Sequence, residues 1–140
     1  MDHLIAIKKL RTRIFIRGAL VTVGTFVLNT LGVWLSLYSI IWWYDMPMHF
    51  FGGLFTALLV IWFLIHYKKF VNLSLIKTCI IVLLITLIIG VVWEGYEFIF
   101  AIIGSQKYII LDSTSDLCFD LAGAIQALFI YFRHKRALSV

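Results

Sequence analysis

Proline is almost missing from this chain: among 140 residues there is one, Pro47. Proline breaks a helix by removing a donor and crowding the preceding turn, so long helical runs on either side of Pro47 meet no such obstacle. Charge is also scarce. Asp, Glu, Lys and Arg make up 14% of the residues, against about 25% in soluble domains. Two cysteines, Cys79 and Cys118, are too few for a disulfide framework. Acids are rarer still, seven against twelve bases, for a net charge of +5.

What fills the chain is apolar. It is 63% hydrophobic and 16% aromatic, with a mean hydropathy of +1.04. This excludes disorder and an ordinary water-soluble domain, and it predicts an all-α polytopic membrane protein with a single domain over 1–140. The positive charge is then no sign of nucleic acid, because bases beside membrane helices set orientation.

A helix crosses the hydrocarbon core in about 20 residues. Apolar runs of that length predict about four transmembrane helices, over roughly 14–37, 46–66, 75–103 and 113–132. Tyr38 to Tyr44, with Trp42 and Trp43, reads as an interfacial stretch, since Trp and Tyr favour the headgroup level. The basic N-terminus followed by an apolar run looks like a signal peptide. The run is too long for one and no Ala-x-Ala site follows, so it reads as an uncleaved first helix.

Eleven of the twelve bases fall on alternate flanks of these spans; the exception is Lys107. The positive-inside rule then puts both termini and the 67–77 loop in the cytoplasm. Acids do not set topology, yet Asp45, Glu94, Glu97, Asp112, Asp116 and Asp120 all fall at the opposite, outer ends of helices, and His49 joins them. Asp45 and His49 are four apart, Glu94 and Glu97 three apart, and Asp112, Asp116 and Asp120 four apart in turn, so each set shares a helix face. Gly52, Gly53, Thr56, Gly90, Ala101, Gly123, Ala124 and Ala127 lie on the same faces. Small residues mark close helix packing in membranes, so the acidic faces are expected to turn inward.

Neighbouring carboxylates need compensation by protons or by a cation. Carboxylates with one imidazole suit a hard or borderline divalent ion: Mg, Mn, Ca, Fe or Zn. The expected ligands are Asp45, His49, Glu94, Glu97, Asp116 and Asp120. Simpler readings stand beside this one. Asp45 would cap a helix with Pro47 in its first turn, Ser113-x-x-Asp116 resembles a capping box, and Asp112 is a solvated loop acid. Gln126, Asn29 and Thr30 read as interhelical bonding or packing residues. His3, His66 and His134 read as solvated on the inner side.

The run Asp45-x-x-x-His49-Phe50-x-Gly52-Gly53, then Trp93-Glu94-x-x-Glu97, then Asp112-x-Thr114-x-Asp116-Leu117-x-x-Asp120-x-x-Gly123-Ala124 resembles the YjdF-like family of small prokaryotic membrane proteins of unknown function. Its motif order is also similar to the VanZ-like family, which is linked to glycopeptide resistance. The likeness covers residues 44–130. Phe98 stands where YjdF-like members carry Trp, and Gly104-Ser105-Gln106-Lys107 replaces their Gly-Asp pair. Glu97 and Asp120 stand where VanZ-like members carry Gln and Asn. The resemblance implies a multi-pass protein of the prokaryotic cytoplasmic membrane and supplies no established reaction.

The leading expectation is a metal-dependent membrane hydrolase acting on a lipid or isoprenoid phosphate from the outer leaflet, with Glu94, Glu97 and His49 as catalytic residues. One alternative is a cation or proton transport module, for which a homo-oligomer would have to complete the pathway. Another is a structural partner protein among membrane lipids. Cys79 and Cys118 map to opposite membrane faces, too far apart to pair.

Overall fold

The computed structural model describes residues 3–67, 73–103 and 110–137. Five helices follow in order: α1 His3–Trp34, α2 Leu37–Ile40, α3 Asp45–His66, α4 Leu75–Ile103 and α5 Ile110–Ala137. There is no strand among the described residues. All but the one-turn α2 are long and apolar enough to cross a membrane, which gives four candidate spans. Lys68, Lys69 and Lys107, which enter the orientation argument, lie outside the described residues.

The helix ends differ from the expected spans in informative ways. α1 begins at His3, eleven residues before the predicted start. Its basic first turns are good helix formers and contain neither Gly nor Pro to stop them. At 1.5 Å per residue α1 and α4 are each more than about 40 Å long. That exceeds the roughly 30 Å hydrocarbon core, so they tilt or project beyond it. The stretch 38–44 is part helix: α2 starts after Ser36, whose φ of 55° and ψ of 30° lie in the left-handed region. Non-glycine residues rarely adopt that conformation, and here it turns the chain back across the end of α1. Trp42 is 80% exposed, which suits the interfacial role.

Two capping expectations are corrected. α3 starts at Asp45 itself, and Tyr44 precedes it as cap residue without a side-chain cap bond. Asp45 therefore sits inside the first turn, where the helix dipole favours a carboxylate. α5 starts at Ile110, so Ser113 and Asp116 lie inside the helix and form no capping box.

α3 is the central helix. It packs most extensively on α5 and next on α1, while α4 leans on α5 and less on α3. α1 and α4 thus stand on either side of α3 with at most marginal contact between them. α3 and α5 run parallel, both from the acidic end of the bundle to the basic end; α1 and α4 run the opposite way. The main core fills the basic half. Ala6, Leu10 and Ile14 of α1 meet Leu58, Ile61 and Ile65 of α3 and Leu128 and Tyr131 of α5. Ala6, Leu10 and Ile14 recur every four residues, so α1 is tied down along one stripe there. Beyond Ile14 the sole buried residue of α1 is Gly32. The first helix is anchored at its basic end and opens away from α4 toward the acidic end.

Gly32 is buried because two rings cover it. A Cβ there would lie 2.6 Å from Tyr44 Cε1 and 2.8 Å from Tyr38 Cε2. The two rings meet edge to face, 5.1 Å between centroids. The Tyr44 hydroxyl donates to the Leu28 carbonyl at 2.8 Å and the Tyr38 hydroxyl to Asn29 Oδ1 at 2.6 Å. These contacts retie the far end of α1 and leave its middle uncovered.

Candidate functional site

The site begins where two backbones touch. A Cβ on Gly53 would fall on the Asp120 carbonyl oxygen, and one on Gly123 would fall on the Phe50 carbonyl oxygen. No other residue type fits either place without moving backbone. Ala57 and Ala127, four residues further along, are fully buried, so each helix presents a small-x-x-x-small face of the kind that allows close approach in a membrane. This crossing fixes the register of α3 against α5. His49 lies one turn above Gly53, and Asp116 lies one turn above Asp120.

The register brings the titratable side chains together. His49 is 6% exposed. Its Nε2 lies 3.7 Å from Asp45 Oδ2 and its Nδ1 lies 3.6 Å from Asp120 Oδ2. The imidazole is thus bracketed by a carboxylate on each edge. Two sets of three ligand atoms surround it: Asp45, His49 and Glu97 form one, and His49, Glu94 and Asp116 form the other, with all atoms of a set within 4.8 Å of one another. Metal–ligand bonds of about 2.0–2.6 Å hold donors at such separations. His49, Glu94, Asp116 and Asp120 are all buried.

Asp116 is the most telling member. It is 2% exposed, and its Oδ1 has no hydrogen-bond partner among the described residues. Thr86, also 2% exposed, is in the same position through its hydroxyl. Buried polar atoms are almost always satisfied, and each exception asks for a cause. Helical Thr hydroxyls ordinarily turn back to the carbonyl four residues earlier, as Thr22, Thr25 and Thr30 do on α1. Thr86 instead lines a cavity.

That cavity, of about 720 Å³, occupies the gap between α1 and α4. α3 is its floor. Asp45, His49, Glu97 and Asp120 line its acidic end, and Phe26, Phe51, Phe55 and Ile89 line the apolar remainder. Glu97 stands at the lip, half-buried, and accepts a 2.7 Å hydrogen bond from Trp93 Nε1. Gly90 keeps Asp120 in place: a Cβ there would lie 2.6 Å from Asp120 Oδ2. Tyr38 of α2 also lines the cavity. Its phenol is pushed up to about 12, first by burial and then by the negative charge of Asp45 nearby.

The five expected carboxylate ligands therefore lie around the sixth, the His49 imidazole, while Asp112 is exposed. Gly53, Gly90, Gly123, Ala124 and Ala127 are buried beside them, as the inward-face argument expects; of the Ala101 side chain nothing is described. Gln126 is exposed, and Asn29 bonds within the α1–α2 corner. His66 is exposed and lies 3.3 Å from Arg11. Thr86, Tyr38 and Trp93 are contributors that sequence reasoning did not single out. Trp93 adjoins Glu94 in the motif, and four-residue spacing to Glu97 was its available signal. Thr86 offered none.

No curated protein and no solved structure matches this chain. A family does: over residues 4–137 the chain fits the one described as "Predicted membrane protein (DUF2238)". The match takes in all four candidate spans and every member of the His/carboxylate cluster, and the chain belongs to this family of membrane proteins.

Proposed function

We propose that the cluster around His49 binds a divalent metal ion at the outward face of a prokaryotic cytoplasmic membrane, and that the protein is a metal-dependent hydrolase of a lipid or isoprenoid phosphate. The observation that carries this reading is the buried Asp116 carboxylate, with one oxygen unpartnered, inside a set of donors already spaced for an ion. An uncompensated carboxylate at membrane depth costs several kcal/mol, and a cation offsets that cost most fully.

Asp45, His49, Glu94, Glu97, Asp116 and Asp120 would hold the ion. A bound divalent ion polarises a phosphoryl oxygen and lowers the pKa of a water. Glu97, at the cavity lip and oriented by Trp93, is placed to take a proton from an attacking water. Glu94 and His49 lie deeper and orient the set. The YjdF-like and VanZ-like motif order is compatible with such a site, and the excess of bases at the other end of the bundle supports the outward orientation. A transport role finds less support: the core of the basic half, from Leu58 to Ile65 and from Leu128 to Tyr131, offers hydrocarbon and one phenol.

The test is thermal unfolding of the purified protein in mild detergent with Mg²⁺, Mn²⁺, Ca²⁺, Fe²⁺ or Zn²⁺. A ligand at a hundred times its Kd stabilises the folded state by about 2.7 kcal/mol. At least one of these ions should raise Tm. Glu97→Ala should lose that rise and Asp2→Ala should keep it. If none of the ions shifts the wild-type protein, the metal reading is wrong.

A further inference from the structure

The basic end of the bundle has a cluster of its own. Leu10 and Ile14 of α1 lie in the same buried core as Leu128 and Tyr131 of α5, and the two helices touch. Arg13 and Arg17 stand three residues beyond Leu10 and Ile14, on the adjoining row of α1. Arg133 and His134 follow Tyr131 on α5. The charges of Arg17, Arg13 and Arg133 all act on His134, so three guanidiniums from opposite ends of the sequence converge along one seam. Nothing balances them there, because every described acid, from Asp45 to Asp120, belongs to the other end of the bundle. Arg11 finds His66 Nδ1 at 3.3 Å, but none of the three makes a hydrogen bond or an ion pair among the described residues.

Orientation in a membrane calls for bases at this end; it does not call for them to be together. Gathered like charges repel, and a bound anion offsets that cost. The residue types favour phosphate. The charges that act on His134 are all arginine, and Lys8 and Lys9 are not among them. A guanidinium meets a phosphate with a planar two-pronged fork, whereas an ammonium is a point charge. Depth then selects the source. Arg17 lies about 6 Å further into the membrane than Arg13, among the exposed side chains of Phe15, Ile16 and Leu20. A long basic side chain at that depth reaches back to the headgroup level. Lipid phosphates already stand at that level, whereas a dissolved anion would have to shed water to reach it. One phosphodiester offsets one of the three charges and a lipid with two phosphates offsets two, and basic pockets between membrane helices suit such headgroups.

We propose that the α1–α5 seam at the basic end is a binding site for an anionic phospholipid with two phosphate groups, of the cardiolipin class, held by Arg13, Arg17 and Arg133 from the leaflet at that end. The site is separate from the His49 cluster and rests neither on a metal nor on the direction in which the chain is inserted.

The experiment is native mass spectrometry of the full chain in detergent, titrated with cardiolipin, phosphatidylglycerol, phosphatidylethanolamine or inorganic phosphate. Cardiolipin should bind one per chain, at least tenfold more tightly than phosphatidylethanolamine and more tightly than phosphatidylglycerol. Arg17→Gln with Arg133→Gln, one change on each helix, should weaken cardiolipin at least tenfold. Lys8→Gln with Lys9→Gln removes as much charge from the same end and should weaken it less than threefold. Arg17→Lys with Arg133→Lys keeps every charge, and so the orientation, and should still weaken it at least threefold. An equal loss in the Lys8 and Lys9 variant, or no loss in either arginine pair, overturns the site. Phosphatidylglycerol bound as tightly as cardiolipin overturns the two-phosphate headgroup, and displacement of cardiolipin by millimolar inorganic phosphate overturns the lipid source. All of these variants should keep the wild-type Tm response to metal ions, so this proposal and the metal reading fail separately.

Discussion

Glycine is used in opposite ways on the two flanks of α3. Toward α5, Gly53 and Gly123 sit where backbone meets backbone, and a single added carbon on either would collide with a carbonyl oxygen. Toward α1, Gly18 would meet one carbon at 4.0 Å, and Gly24 would meet nothing. Both helices carry small residues at helical spacing, yet only one is drawn into close contact. The difference is polar. α5 brings Asp116 and Asp120 to a face where His49 waits, whereas the middle of α1 offers apolar side chains that lipid satisfies equally well. Between apolar helices in a membrane there is no hydrophobic drive to associate, so small residues permit contact and other interactions must supply it.

The largest effects should come from refilling the α3–α5 contact. Gly53→Leu and Gly123→Leu are expected to cost about 3 kcal/mol or more, measured by thermal or denaturant unfolding in detergent. Gly24→Leu should stay within about 0.5 kcal/mol. A similar loss at Gly24 would mean that α1 is packed where it looks free. His49→Leu comes next. It leaves buried Asp120 facing no imidazole and should cost about 3 kcal/mol in the same assay. A neutral outcome would show that the carboxylates do not depend on it.

Gly90→Ala sharpens the comparison, because its Cβ meets the Asp120 side chain and Leu117, not backbone. The fold should survive, and metal affinity, read as the ion concentration needed for half the Tm rise, should fall about tenfold. Asp116→Asn should do something a purely structural carboxylate would not. Without metal it raises stability by about 1 kcal/mol, since a buried carboxylate with an unsatisfied oxygen gives way to a neutral amide, and with metal it loses the Tm rise. A metal-free loss of stability would point to a structural role for that carboxylate.

The smallest effect is at the α1–α2 corner. The Tyr38 phenol titrates at about 12 in the folded protein, against 10.0 for its ordinary value. Its folded value is raised, so its contribution is complete below pH 10.0 and is lost as pH rises toward about 12. Stability against pH should therefore fall less steeply in that window for Tyr38→Phe than for the wild-type protein. Identical slopes would place the phenol in bulk water.

Much of the bundle was legible because membrane helices advertise themselves by length and composition. The convergence of acids was legible because Glu94, Glu97 and Asp120 are costly in apolar runs, and the acidic faces share spacing with small residues. Helix ends were not. Start signals at Asp45 and Ser113 look like caps, but α3 already includes Asp45 and α5 starts at Ile110; Tyr44 precedes α3 without a side-chain cap bond and packs on α1 instead. The open middle of α1 was equally invisible: Gly18, Ala19 and Gly24 are small residues as Gly53 is, and the sequence alone does not separate a helix face that is packed from one that is not.

The tightest interface joins α3 to α5 and skips the helix made between them. During synthesis α3 and α4 reach the membrane while α5 is still unmade, and at that stage His49 has Asp45 and Glu97 for company but neither Asp116 nor Asp120. The His49, Glu94 and Asp116 group exists only once α5 has brought Gly123 against Phe50. On the metal reading proposed above, a nascent chain should hold no ion firmly, and capture waits for α5. Chains cut off before residue 110 would carry Asp45, His49, Glu94 and Glu97 but none of the α3–α5 contact that aligns them with Asp116 and Asp120, so such chains are expected to show no metal-dependent rise in Tm.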